Sequence, residues 1–226
     1  MNEDLINSQR DIYGSQFSKY GDSPDSTFNQ SRIIQNIRYE RLLKNLSNLS
    51  DKSTIHDIGC GICDLYDFIT VNGYNLIYSG TDIVNDMQIL VNKKHPEIQY
   101  YIRDVLNSTV EEGKYNYVVL SGTFNLPGDS TPSEWSEFWK MMITKMFDMS
   151  NIAISFNFLT SYADYYNPSM CYINPSDVLD FCIKNLSRHV YVDHAYPLFE
   201  CTVTVSHQDA LKSDYNDKSL SKYFKS

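Results

Sequence analysis

No apolar run in this chain approaches the roughly 18 residues that a membrane-spanning helix needs, although 42% of its 226 residues are hydrophobic. The N-terminus is polar and lacks the basic-then-apolar pattern of a secretion signal, so the expectation is a soluble chain that is neither membrane-bound nor exported. Cysteine is sparse, with five residues at 60, 63, 171, 182 and 201. That odd number, without the dense spacing of a secreted scaffold, predicts reduced thiols and a cytoplasmic location. No basic stretch offsets the formal charge of −9, and a negative field repels phosphate backbones, which disfavours a nucleic-acid partner and favours a small molecule. The histidines at 56, 95, 189, 194 and 207 form no pair at metal-ligand spacing, so no metal is expected. No internal repeat is visible, and the oligomeric state is not legible.

What is present suits one α/β domain. Residues 1–27 are polar, carry Gly14, Gly21, Ser23 and Pro24, and read as an irregular arm. From Asn29 to Leu46 the apolar residues Ile33, Ile34, Ile37, Leu42 and Leu43 recur at helical spacing, predicting one leading helix over a sheet edge or pocket. After a polar break at Ser47–Ser53, β-type runs occur at Thr54–Ile58, Leu76–Thr81, Ile98–Ile102, Tyr115–Ser121 and Asn151–Phe156. Their spacing predicts parallel strands joined by helical crossovers. Thr131-Pro132-Ser133-Glu134 has the form of a capping box, and Asn174-Pro175 repeats the cap-and-proline start. His189–Val192 and Leu198–Val205 read as a closing antiparallel hairpin through Asp193–Pro197. The expected organisation is an arm and helix (1–50), a doubly wound, mostly parallel sheet of about seven strands with an antiparallel last strand (51–206), and a polar, loose tail (207–226).

The segment Ile55-His56-Asp57-Ile58-Gly59-Cys60-Gly61-Ile62-Cys63-Asp64 ends a predicted strand, turns on two glycines and enters a helix near Leu65. Glycines there let the backbone approach a ligand, and the helix start offers free amides. A Walker phosphate loop is excluded, because no Lys-Ser or Lys-Thr pair follows the second glycine. A dinucleotide fingerprint wants a third glycine and does not require an acid before the first; here Asp57 sits at that position.

Asp57-Ile58-Gly59-Cys60-Gly61 resembles the first motif of class I S-adenosylmethionine-dependent methyltransferases. Gly80-Thr81-Asp82 stands where that family places its ribose-binding acid, and Arg103-Asp104-Val105 looks like the adenine-contacting position. Tyr117-Val118-Val119-Leu120-Ser121-Gly122 is similar to the fourth motif. The resemblance implies a Rossmann-like methyltransferase domain, with the arm and helix of 1–50 over its cofactor site, that binds S-adenosylmethionine through Asp57, Gly59, Cys60, Gly61, Asp82, Ile83, Asp104, Val105, Ser121 and Gly122. Arg38 is the candidate for the cofactor carboxylate, with a solvated helix charge as its alternative, and Tyr20 for closing the same end. The family commonly has a third glycine where this chain has Cys63, so the helix is expected to begin slightly farther from the strand.

Cys60-Gly61-Ile62-Cys63 also fits a redox pair, but that reading leaves Asp57, Asp82 and Asp104 unexplained. Acceptor choice is expected in Gly122–Ser130 and in the run Asn157–Pro168. There Tyr162, Tyr165 and Tyr166 could form a wall, and Asp164 or Asn157 could orient a hydroxyl. A lid packed by tyrosines is the plainer reading. His194, in a predicted turn, is the candidate general base, against a turn histidine with no role. The expected reaction is methylation of an oxygen or nitrogen of a small polar acceptor, a sugar or tailored metabolite. The rivals are a catalytically silent cofactor-binding protein and a nicotinamide-dependent oxidoreductase.

Overall fold

The computed structural model describes residues 3–29, 31–46, 49, 52–215 and 217–224. Strands β1 (Thr54–Ile58), β2 (Ile77–Asp82), β3 (Gln99–Ile102), β4 (Tyr115–Leu120), β5 (Ser150–Leu159), β6 (Val190–Asp193) and β7 (Glu200–Ser206) form one sheet. Its order is β3-β2-β1-β4-β5-β7-β6, seven strands in all. β1 to β5 pair in parallel, and β7 runs antiparallel to both β5 and β6, so the expected doubly wound sheet with a reversed strand and closing hairpin is present. The chain leaves β1 in one direction through β2 and β3, then returns to lay β4 on β1's other side. That reversal opens a crevice at the strands' C-terminal ends.

Helices α1 (Glu3–Tyr20), α2 (Arg32–Lys44), α3 (Asp64–Val71), α4 (Asn85–Lys94), α5 (Pro132–Met149), α6 (Pro175–Asn185) and α7 (Gln208–Asp214) cover the sheet and its edges. One face packs β-strand side chains such as Val118, Leu120, Phe156 and Val203 against Trp135, Phe138, Ile143 and Met146 of α5 and Val178 of α6. The other carries Tyr117 and Val119 against Leu42 and Leu43 of α2, Leu65 and Ile69 of α3 and Met87 and Val91 of α4. The alternation along β4 feeds both cores, as a strand buried on two sides requires. Both predicted helix starts form. Thr131 and Glu134 exchange cap hydrogen bonds at α5, and Asn174 accepts from the Ser176 amide at α6.

The N-terminal arm corrects the expectation, because residues 3–20 are helical. α1 places Glu3 and Asp4 at its positive end and Lys19 at its negative end, buries Leu5, Ile6 and Gln9, and tolerates Gly14 in its interior. It ends at Gly21, whose φ of +56° and amide bond to the Phe17 carbonyl close the last turn. The tail is likewise more regular than expected, with α7 and a 3-10 turn at Lys218–Tyr223. α2 is shorter than predicted and buries Gln35, Tyr39, Leu42 and Leu43, while Ile33 is 74% exposed. The inner face is chosen by a polar tether, described below. The polar break at 47–53 lies in part outside the described residues. Among the described residues no helix is long and apolar enough to cross a membrane.

Candidate active site

β1 ends in a turn whose glycines are required by space as well as by dihedral. Gly59 and Gly61 have φ of +69° and +54°. A Cβ at Gly59 would meet Thr123 Oγ1 at 2.5 Å, and one at Gly61 would meet Thr27 Cγ2 at 2.7 Å. Gly80 of β2 is bare for a third reason, since a Cβ there would meet Cys60 Sγ at 2.6 Å. Cys63, where the helix was expected to start late, is itself left-handed (φ +62°) and fully buried as the residue before α3. A side chain in that conformation costs about 1–2 kcal/mol. Cys60 and Cys63 are both free and buried.

The loop is fastened from below. Asp82 Oδ2 accepts from the Gly61 amide at 2.9 Å, and its Oδ1 accepts from the Ile83 and Val84 amides at 2.7 and 3.0 Å. A carboxylate has about four acceptor directions, so one remains on Oδ2. The Tyr100 hydroxyl donates to the Gly61 carbonyl at 2.9 Å, and the Tyr78 hydroxyl donates to Asp57 Oδ2 at 2.8 Å. Burial, opposed by the Tyr78 hydrogen bond and reinforced by nearby Asp82, raises the Asp57 carboxyl to about 7. Asp104 accepts from the Leu106 amide and the Asn107 side chain at 2.9 and 2.6 Å.

α2 is tied to the same region. Arg32 and Gln35 donate to the two oxygens of Asp64, the first residue of α3, at 2.6 and 2.8 Å. Arg38 pairs with buried Glu200 of β7 and donates from Nη1 to Asn29 Oδ1 at 2.5 Å. Asp57, Gly59, Cys60, Gly61, Asp82, Ile83, Asp104, Val105, Ser121, Gly122, Arg38 and Tyr165 all line one cavity of about 470 Å³. That volume lies within the roughly 300–1,000 Å³ usual for cofactor and small-molecule sites.

No protein-family model matches the chain. A Mycobacterium tuberculosis protein provisionally named as a methyltransferase, Rv1506c, is 28% identical over 163 residues, spanning 70% of this chain and 95% of that protein. Solved structures share the fold of this chain. DhpI, in a complex with S-adenosylmethionine and HEP, superposes with a TM-score of 0.61 at 14% identity, covering 90% of this chain and 98% of that one. The Burkholderia thailandensis 1,6-didemethyltoxoflavin-N1-methyltransferase superposes with a TM-score of 0.62 at 9% identity, covering 91% and 90%.

Two expected site residues stand elsewhere. Tyr20 is at the exposed end of α1 and His194 is exposed on the β6–β7 connection, and neither lines the cavity. His194 instead meets the ring edge of Tyr162 at 6.1 Å between centroids. Farther along the same connection Pro197, Leu198 and Phe199 line the cavity. Of the tyrosine run only Tyr165 lines the cavity, with its ring edge on Phe199 at 5.1 Å. Tyr162, Asp164 and Tyr166 face solvent. Asn157 is a buried strand residue rather than a loop ligand.

Sequence reasoning missed Tyr78, Tyr100 and Glu200, which bond Asp57, the Gly61 carbonyl and Arg38. Strand parity held the signal for one of them: Tyr78, Gly80 and Asp82 share a face of β2, and Gly80 registers with Asp57. His56 is structural. It is wholly buried between Ser79 Oγ and Thr81 Oγ1, both at 2.8 Å, and stacks on Tyr115. Burial, with Arg103 and Lys114 nearby, lowers it to about 3.

Proposed function

We propose that this chain moves a methyl group from S-adenosylmethionine to a nitrogen or oxygen of a small polar acceptor. The observation that carries the reading is the arrival of Asp57, Asp82 and Asp104, from the ends of three neighbouring parallel strands, in one cavity with Arg38 and the Gly59–Gly61 turn. When bound, the cofactor supplies an activated methyl group on a sulfonium. The residues present fit it. Asp82 has a free acceptor direction for a ribose hydroxyl, and Asp104, which lines the same cavity as Ile83 and Val105, would accept from the adenine amine. Arg38 suits the amino-acid carboxylate, and the glycine turn lines the cavity together with Ser121 and Gly122. A cationic ligand beside Asp57 would favour the ionised form of its carboxyl.

The cavity continues past Asn125, Leu159, Asn167, Met170, Tyr172 and Phe199. Apolar walls with a few amide and phenol groups suit a small ring system bearing polar substituents. Tyr165 is the candidate to touch the acceptor. The named ligands of the similar structures, 1,6-didemethyltoxoflavin with S-adenosylhomocysteine among them, support an acceptor of this size. A direct test incubates the protein with methyl-labelled S-adenosylmethionine and a metabolite extract. Enzyme-dependent S-adenosylhomocysteine together with a labelled small molecule is expected. Tight cofactor binding without either product would leave only a silent binder.

A further inference from the structure

Glu200 opens β7, is 2% exposed and still lines the cavity. Its two oxygens are used in opposite directions. Oε1 accepts from Arg38 Nε at 2.7 Å and lies 2.5 Å from Nη2. Oε2 accepts from Asn157 Nδ2 at 2.8 Å, and Asn157 Oδ1 accepts from the Gly122 amide at 2.8 Å. A continuous chain of hydrogen bonds therefore runs from α2, through β7 and β5, to the turn that follows β4. Gly122 is left-handed there, with φ of +75°.

A buried ion pair is weak evidence for stability, because desolvation of both charges offsets their attraction. This pair also sits at a cavity wall, where an apolar replacement would bury as much surface. What it provides is a fixed cation beside a fixed anion, and that pattern complements a zwitterion. The nearest comparable pair, Arg41 with Asp193, lies one helical turn along α2 and outside the cavity lining, so it clamps the helix without meeting a ligand.

We infer that Glu200 is a positioning residue for the amino-acid end of the cofactor: it holds the Arg38 guanidinium at the wall and, through Asn157, sets the Gly122 turn against which that end rests. The inference rests on the cofactor reading above. It differs from the view of Arg38 as a lone cation, because a lone cation would bind a carboxylate better once its internal partner is gone.

Binding of S-adenosylhomocysteine and of 5′-methylthioadenosine, which shares the adenosine and sulfur but lacks the amino-acid end, separates the possibilities by calorimetry. Glu200→Gln should weaken S-adenosylhomocysteine by about tenfold or more, the scale of a lost charge-assisted hydrogen bond, and leave 5′-methylthioadenosine within about twofold. Should Glu200→Gln fail to fold, Asn157→Ala cuts the strut and keeps the ion pair, and the same selective loss is expected. Unchanged or tighter S-adenosylhomocysteine binding, or equal loss of both ligands, overturns the inference. A wild-type protein that binds neither ligand defeats the cofactor reading first, and this inference with it.

Discussion

Asp82 gives three acceptor directions to the amides of Gly61, Ile83 and Val84 and keeps one for a ligand. Asp82→Ala should weaken S-adenosylmethionine by roughly 1.5–3 kcal/mol, the usual worth of hydrogen bonds to a charged group; calorimetry showing unchanged affinity would remove the ribose assignment. His56 and Asp57 are neighbours with opposite linkage to pH. Between about 3 and its ordinary 6.5, folded His56 is neutral while the unfolded chain binds a proton, so this residue makes stability rise with pH. Between 3.8 and about 7, folded Asp57 keeps a proton that the unfolded chain has lost, so it makes stability fall with pH. The two nearly cancel where their windows overlap. His56→Gln should therefore tilt denaturant-measured stability between pH 5 and 6 downward by up to about 1.4 kcal/mol per pH unit, and Asp57→Asn should tilt it upward by a similar amount. A His56→Gln profile parallel to the wild type would contradict a neutral, buried imidazole.

At the scale of elements, the strands were legible because β-type runs between turn residues are a local property, and six of the seven runs miss the observed starts by no more than one residue, the seventh by two. The capping residues of α5 were equally local. Thr131→Ala should cost about 1 kcal/mol, or about 2–4 °C in Tm for a chain of this size, and a Tm unchanged within error would show that the cap contributes nothing. α1 was not legible, because its buried face includes Gln9 and depends on distant partners. Gln9 donates to the Leu126 carbonyl, and Ser8 and Ile12 sit against Gly128, more than a hundred residues away. α2 misled for the same reason, since Gln35 is buried by its bond to Asp64 while Ile33 is left outside.

At the scale of the molecule, the site divides by origin. The grouping of the residues proposed to hold the cofactor was legible because Asp57, Asp82 and Asp104 lie at or just past the ends of β1, β2 and β3, and a parallel sheet brings strand ends to one edge whatever else varies. The site's proposed acceptor half was not, because Met170, Tyr172 and Phe199 lie on connections whose paths no local pattern sets. Arg38 and Glu200 meet across 162 positions of sequence. The central claim is that the crevice between β1 and β4 takes an adenosyl sulfonium rather than a dinucleotide. Titration calorimetry of the wild-type protein with S-adenosylhomocysteine and, separately, with NADH tests it most directly. The account predicts one saturable site for S-adenosylhomocysteine and no heat of binding for NADH; tighter binding of NADH would contradict it.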